Sequence, residues 1–493
     1  MRRGTLDLGP GTIRRTRPFV AMLQGFCLIL PLGGCMLSAE KPDPGLDIPQ
    51  AYQEGPKNPA LADKAVPPLD WWRSFRSKEL TELIEEARNS NLDIAAAIAQ
   101  IEQADAQSRV AGAPLLPGVN LNASATRSRP SQSTSGGSSS GGSEFDTLSS
   151  SLTASYEIDF WGKNRAALRA AEESAVASRY NREVVALATE ASVANTYFLV
   201  LAAQDRLRIA RNNVASASRI LDLIRQQFAA GTASDLNVAQ QESLVATQRA
   251  TIPPLTQTLQ QSKAALALLL ARPPERVAIR GGGMHSVAIP RVTPGLPSEL
   301  LAQRPDIRQA EAQLASANAN VYNARAQLLP SITLTGEFGY QSAVLQTLLR
   351  PESAFYTMTA GLTQPIFEGG KLLGNLDLQK GLQEQLLQNY RKAVISAFTD
   401  VDKALIAVRE TTIAERLQQD VVSSSRRAFD LSDQQLRAGT VNLVTLLQVE
   451  QTLFQAEDAL AQARLARLQA VISLYQALGG GWLPKPVETS DAR

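Results

Sequence analysis

The sequence predicts a mainly α fold with a membrane β-barrel portion, built twice over from a helix, a β-hairpin, a very long helix and a returning helix. Three observations carry that prediction. Lys163 to Ala230 runs for 68 residues without a Gly or a Pro. The same pattern returns 208 residues further on. Four segments alternate apolar and small polar residues with the period of a strand.

As one helix, Lys163–Ala230 would be ~100 Å long at ~1.5 Å per residue. Its apolar positions, Val193, Tyr197, Val200, Leu207, Val214, Ala217, Leu221, Ile224 and Phe228, follow steps of three, four and seven, which is a heptad seam. Gln204 and Arg211 interrupt it. A helix this long has no small core to enter and must lie along other long helices.

The duplication is read from pairs at a constant offset of 208: Gly162/Gly370, Lys163/Lys371, Asp222/Asp430, Gly231/Gly439, Thr232/Thr440, Gln240/Gln448 and Glu242/Glu450. Upstream the offset is 213, as in Asp93/Asp306, Ile94/Ile307, Ala104/Ala317 and Pro117/Pro330. The second copy is therefore five residues shorter between the two blocks. The period is too long for a solenoid, so each copy is half the protein.

In chain order, residues 1–34 read as an export signal, with Arg14, Arg15 and Arg17 ahead of the apolar run Phe19–Leu32. The signal ends Leu32-Gly33-Gly34-Cys35, where the Cys35 thiol is suited to take a lipid and Met36 follows. Residues 35–76 form a Pro- and Asp-rich tether and an equatorial segment. Trp71-Trp72 in it either mark a membrane interface or pack against the body; packing is the reading preferred. The first repeat spans 77–272: a helix from about Ser77 to Ala113, a hairpin over 118–160, the long helix 163–230 and a return helix 235–272 that Pro253-Pro254 should kink or interrupt. A Gly-rich connector, 273–296, leads to the second repeat, 297–478. There the hairpin is 330–368, the long helix 371–438 and the return helix 441–478. Residues 479–493 are a tail.

The strands are the most informative part after the helices. Val119, Leu121, Ala123 and Ala125 alternate with Asn120, Asn122, Ser124 and Thr126. Leu152, Ala154, Tyr156 and Ile158 alternate with Thr153, Ser155 and Glu157. Ile332, Leu334, Gly336, Phe338 and Tyr340, then Tyr356, Met358, Ala360 and Leu362, repeat the pattern. Such strands suit a membrane barrel, apolar outward and polar inward. Trp161, Tyr340, Phe355 and Tyr356 are candidate interfacial aromatics. The loop Pro130–Glu144 is Ser/Gly-rich, and Leu345, Leu348 and Leu349 of the second loop are placed to fold over a mouth. Four strands cannot close a barrel, for which about eight is the minimum. Several copies must therefore share one, and the pattern alone does not choose between two and three.

Composition excludes much else. One His and two Cys leave little for metal, thiol or His-based chemistry, and no nucleophile or phosphate-loop arrangement is present. No enzyme and no cofactor are expected beyond the covalent lipid (palmitate) on Cys35. Residues 1–34 hold five Arg and one Asp; without them 44 basic and 46 acidic residues remain, which gives no support for nucleic-acid binding. No apolar run after the signal is long enough for a membrane helix.

Leu296-Pro297-Ser298-Glu299-Leu300-Leu301 with Arg304-Pro305-Asp306-Ile307-Arg308-Gln309-Ala310-Glu311 resembles the signature of TolC-like outer membrane efflux factors, in their lipoprotein (NodT-type) branch. Leu328-Leu329-Pro330, Tyr156-Glu157-Ile158-Asp159-Phe160-Trp161-Gly162, Pro365-Ile366-Phe367-Glu368-Gly369-Gly370 and Ala477-Leu478-Gly479-Gly480-Gly481-Trp482 do the same. The resemblance covers about Pro67 to Leu483. It implies a homotrimer with a twelve-stranded β-barrel and a long periplasmic α-barrel, lipid-anchored in the bacterial outer membrane. It also implies an exit duct of a tripartite efflux system, with a periplasmic adaptor (membrane fusion) protein and an inner-membrane transporter of the resistance-nodulation-division type. A duct for type I protein secretion is the alternative, and a lipid-anchored coiled-coil scaffold is disfavoured by the four strands.

By the same resemblance the two turns between long helices form the periplasmic tip, with Gly231, Thr232, Arg437, Gly439 and Thr440 as adaptor contacts. Asp235, Asn442, Leu443 and Val444 are the expected gate, Asp235 as a ring of carboxylates and Leu443 with Val444 as an apolar plug. The salt-bridged links common after such turns are missing, since Val441, Asn442 and Thr445 are uncharged.

Overall fold

A computed structural model describes residues 44–46, 48–49, 52, 67–129, 131, 144–292, 295 and 297–482. Cys35, the signal 1–34, most of the tether, most of the Ser/Gly-rich loop and the tail from 483 lie outside the described residues. The chain divides into a β unit, Gly112–Ala167 with Asn318–Gly381, and a helical unit, Asp43–Ala111 with Leu168–Ala317 and Leu382–Arg493.

In the β unit, β1 (Gly118–Ser128), β2 (Phe145–Ile158), β3 (Ser331–Ser342) and β4 (Ala354–Thr363) form one antiparallel sheet in chain order. The register sets the two faces. Leu121, Leu152, Phe338 and Tyr356 stand in one row across the four strands. Asn120, Thr153, Glu337 and Thr357 form a row on the other face. The apolar face is open: Leu121 is 73% exposed and Met358 85%. The polar face is laced by Asn122 donating to Thr153 Oγ1 (3.2 Å) and by the Ser124–Ser149 hydroxyl pair (2.8 Å). Phe355, one of the candidate interfacial aromatics, stands opposite Gly339 on the polar face. Phe355 and Tyr356 are adjacent in an extended strand, so they cannot share a face. Gly339 is required by close approach: an added Cβ would lie 2.5 Å from the Ser150 carbonyl oxygen.

After β2, the Asp159 carboxylate accepts the N–H groups of Asn164 and Arg165, both at 2.9 Å. It thereby caps the start of the long helix, the usual place for an anion. Trp161 Nε1 donates to the Pro330 carbonyl (2.8 Å), tying the first hairpin to the second. These bonds account for the Asp-Phe-Trp-Gly motif.

The helices are α1 (Lys78–Ser90), α2 (Leu92–Gly112), α3 (Lys163–Ala229), α4 (Asp235–Ala250), α5 (Ile252–Leu269), α6 (Pro297–Gln303), α7 (Pro305–Ala326), α8 (Lys371–Arg437) and α9 (Leu443–Ala477). The single helix expected over 77–113 is two. Asn91 takes an extended backbone, its Oδ1 accepts from Asp93 and Ile94 N–H, and its Nδ2 donates to the Leu269 carbonyl at 2.9 Å. The side chain thus replaces the helical bonds it interrupts. Pro253 and Pro254 interrupt the return helix rather than kink it: they sit in the first turn of a new one, α5, where a missing N–H costs nothing. Arg304 separates α6 from α7 and grips Asp306 bidentately (3.0 and 2.7 Å) and the Ala477 carbonyl (3.1 Å), which explains the Arg-Pro-Asp motif.

The seam of α3 is largely buried in the helical unit: Val193, Tyr197, Val200, Leu207, Ala217, Leu221 and Ile224. Gln204 interrupts it in order to donate to the Ile279 carbonyl (3.2 Å). Contrary to the expectation that no segment after the signal would qualify, α3 holds one stretch long and apolar enough on average to cross a membrane, but that stretch is mostly buried in this core. Trp71, Trp72 and Phe75, on a short 3₁₀ turn, fill the core's centre with Leu80 and Ile84 of α1, Phe198 of α3, Leu266 of α5 and Leu468 of α9. Trp71 stacks on Tyr475 at 5.1 Å between centroids, and Arg88 lies over Trp72. The Trp pair therefore packs against the body.

Two outcomes are expected. Trp71→Ala should cost about 3–5 kcal/mol, read as a lower thermal midpoint in detergent. Gly339→Val should prevent β2–β3 pairing, read as loss of β signal in far-ultraviolet circular dichroism of the protein in detergent.

Candidate functional site

The candidate site is the pair of turns that end α3 and α8. Both close by the same construction. After α3, Gly231 takes φ +75°, Gly231 N–H reaches the Phe228 carbonyl (2.9 Å), and Thr232 N–H reaches Gln227 (2.9 Å). After α8, Gly439 takes φ +70°, its N–H reaches Leu436 (3.0 Å), and Thr440 N–H reaches Gln435 (2.9 Å). This is the Schellman closure, which satisfies helix-end carbonyls and calls for Gly at the left-handed position. Each Thr adds its hydroxyl to the same carbonyl, at 3.0 and 3.1 Å. The repeated Gly-Thr is thus a helix stop. An added Cβ at Gly231 or Gly439 meets nothing within 4 Å, so the outer side of both turns is open space.

The following helices begin alike. Ser234 caps α4 in a reciprocal box with Asn237, and Asn442 accepts from Thr445 N–H (2.9 Å) to cap α9. Asp235 is exposed in the first turn of α4, where a carboxylate suits the helix dipole. Arg437 Nε donates to Asp433 Oδ2 at 3.0 Å and its side chain is 64% exposed.

The expected gate residues separate. Asn442 is a cap. Val444 is 59% exposed and free to face outward. Leu443 is not: it is buried with Ile220 and Ile224 of α3, Leu436 of α8 and Leu446 of α9. The apolar plug therefore loses Leu443, which already belongs to its own protomer's core. The sequence reading missed Leu236, which is 66% exposed and is the offset-208 counterpart of Val444. Comparing the copies position by position would have found it.

The turn geometry generates one prediction. Gly439→Ala should cost about 1–2 kcal/mol from the left-handed backbone alone, whereas Gly439→Asn should cost less. Limited proteolysis at 436–443 reads the difference as faster nicking of the Ala variant.

Comparison with known proteins places this geometry. The family described as outer membrane efflux protein matches residues 83–272 and 296–480. The pyoverdine export outer membrane protein OpmQ of Pseudomonas putida is 41% identical over 463 residues, 92% of this chain and 97% of that protein. The probable outer membrane lipoprotein SilC of Salmonella typhimurium is 30% identical over 94% of this chain and all of that protein. The open state of the Neisseria gonorrhoeae MtrE outer membrane channel superposes with a TM-score of 0.78 at 29% identity, over 90% of this chain and 97% of that one. With both repeats matched, and with the fold of the known channels, this chain belongs to the outer membrane efflux protein family.

Proposed function

We propose that three copies of this chain form the exit duct of a tripartite efflux pump. The observation that carries this is the sheet of the β unit. Among the described residues, β1 pairs only with β2 and β4 only with β3, so both outer edges need partners. Unpaired backbone groups in hydrocarbon cost several kcal/mol each, and three sheets of four strands close that edge as a twelve-stranded barrel. Its outside is the apolar row of Leu121, Leu152, Phe338 and Tyr356, and its lumen is the Asn/Ser/Thr face.

The duct itself performs no chemistry and needs no cofactor. Its partners are a periplasmic adaptor, which docks on the open side of the turns at Gly231, Thr232, Arg437, Gly439 and Thr440, and an inner-membrane transporter that supplies the energy. A transporter of the resistance-nodulation-division type is the partner proposed. Asp235 with the exposed Leu236 and Val444 narrows the tip. Cys35 carries the lipid; the Leu-Gly-Gly-Cys sequence supports it, as does the lipoprotein name of SilC. The cargo is a small compound handed over by the transporter, and pyoverdine export, for which the 41% identical relative is named, is the first to test.

The test is a deletion strain complemented with wild type, Cys35→Ser or Gly439→Trp. It is scored for tolerance to antibiotics, detergents and metals and for released pyoverdine. Wild type should restore tolerance or release and Gly439→Trp should not, because an indole on the open side of the turn blocks docking. Restoration by Gly439→Trp at wild-type level would remove the turn as the docking site.

A further inference from the structure

We propose that neighbouring chains are held together by a second edition of the joint that links the two repeats within one chain. In it, β4 pairs with β1 of the neighbouring chain so that Leu362 faces Ala123. The turn Pro365–Gly369 then closes over Leu116 and Pro117, at the start of that neighbour's β1. The inference deepens the shared-barrel reading and rests on it.

The two hairpins set the frame. β1 relates to β3 by the offset of 213, and β2 relates to β4 by 208. The structure obeys both offsets: Gly118 opposite Ser155 in the first hairpin becomes Ser331 opposite Thr363 in the second. The hairpins are thus equivalent in register, residue for residue. Between them β2 pairs with β3, Ala154 facing Gly336 and Ser155 facing Thr335. Carried forward by the same offsets, these pairs become Leu362 facing Ala123 and Thr363 facing Asn122, on the two outer edges. The faces supply a check on this register. Leu362 shares a row with Ile332 and Ile158, and Ala123 shares one with Ser150 and Tyr340, both on the apolar side. Thr363 and Asn122 both lie on the polar side. A slip of one residue would set Leu362 beside Asn122 and mix the faces all along the seam.

The turns after β2 and β4 carry a second, independent observation. Within the chain, the turn after β2 is covered by the approach to β3. Trp161 Nε1 donates to the Pro330 carbonyl (2.8 Å), the Tyr322 hydroxyl to the Trp161 carbonyl (3.3 Å) and Asn323 Nδ2 to the Lys163 carbonyl (2.7 Å). Ile158, Leu329 and Pro330 are half-buried there. Their counterparts are bare: Ile366 is 89% exposed, Phe367 87% and Leu116 71%, and Pro117 is exposed as well. β4 ends on the side where β1 begins, so antiparallel pairing of the two edges brings these bare places together. Inside one chain they stand on opposite edges of the sheet, three strand spacings or ~14 Å apart, so only another chain can join them. Phe367 stands where the first repeat has Asp159, and Gly369 where it has Trp161. The joint between chains therefore exchanges hydrogen bonds for apolar contact.

Cysteine pairs in the full-length protein in its membrane test the register. Leu362→Cys with Ala123→Cys and Thr363→Cys with Asn122→Cys sample both kinds of antiparallel pair. Residues directly opposite lie within disulfide reach, and diagonal ones, at about 7–8 Å, do not. On oxidation at least one pair should convert most of the chain to covalent oligomers on non-reducing gels. The single variants, and Leu362→Cys with Ala125→Cys, should give about tenfold less. Phe367→Asp tests the turn, because it gives the start of α8 the acid that caps α3 and removes only the apolar contact. The unoxidised oligomer should then dissociate on warming about tenfold faster, read by light scattering in detergent. Leu345→Asp, beyond the other end of β3, should leave that rate unchanged. An oligomer of wild-type mass in which neither pair links, or in which Ala125 links better than Ala123, overturns the proposal. So does a dissociation rate that ignores Phe367→Asp or responds equally to Leu345→Asp. A wild-type chain that is monomeric by mass overturns the shared-barrel reading itself, and the joint with it.

Discussion

Backbone hydrogen bonding in a solvent without water is the constraint on which the rest depends. A hydrocarbon layer offers no partner for an exposed N–H or C=O, so a sheet edge there must be paired. Among the described residues the chain makes one four-stranded sheet with two outer edges and an apolar face in which Met358 is 85% exposed. Neither feature suits an isolated chain in water.

The helical unit solves a different problem. Very long helices have narrow seams, and each turn buries little. The chain concentrates aromatic burial at one level, where Trp71, Trp72, Phe75, Phe198 and Tyr475 meet. Two smaller apolar clusters near the turns, around Ile224 with Leu446 and around Leu221 with Phe454, hold the tip. The tip thus has little apolar area of its own and depends on capping: two Schellman stops and the Ser234 and Asn442 caps.

The two copies show how a duplicated sequence diverges without changing its fold. Asp235 and Leu443 occupy equivalent positions, yet one is an exposed carboxylate and the other a buried core residue. Leu236 and Val444 remain alike and exposed. The backbone path is shared, since it depends on Gly-Thr stops and strand alternation that both copies keep. The side-chain environments are not shared: Leu443 is buried among Ile220, Ile224, Leu436 and Leu446, whereas Asp235 is exposed.

Periodicity, punctuation and repetition were legible in the residues themselves. The heptad seam, the four alternating strands, the Gly stops and the offset of 208 are local or self-referring patterns, and they determine the elements and their order. The break at Asn91 was not legible, because its side chain is recruited by the Leu269 carbonyl, 178 residues away. At Pro253 a break was legible but its form was not, since a proline reads equally as a kink and as the first turn of a new helix. The burial of Leu443 and the isolation of Glu450 were decided by which helices meet at the tip. A charge pattern on one helix cannot say what faces it; only the tertiary structure buries Glu450, and there desolvation raises its carboxyl above the usual range.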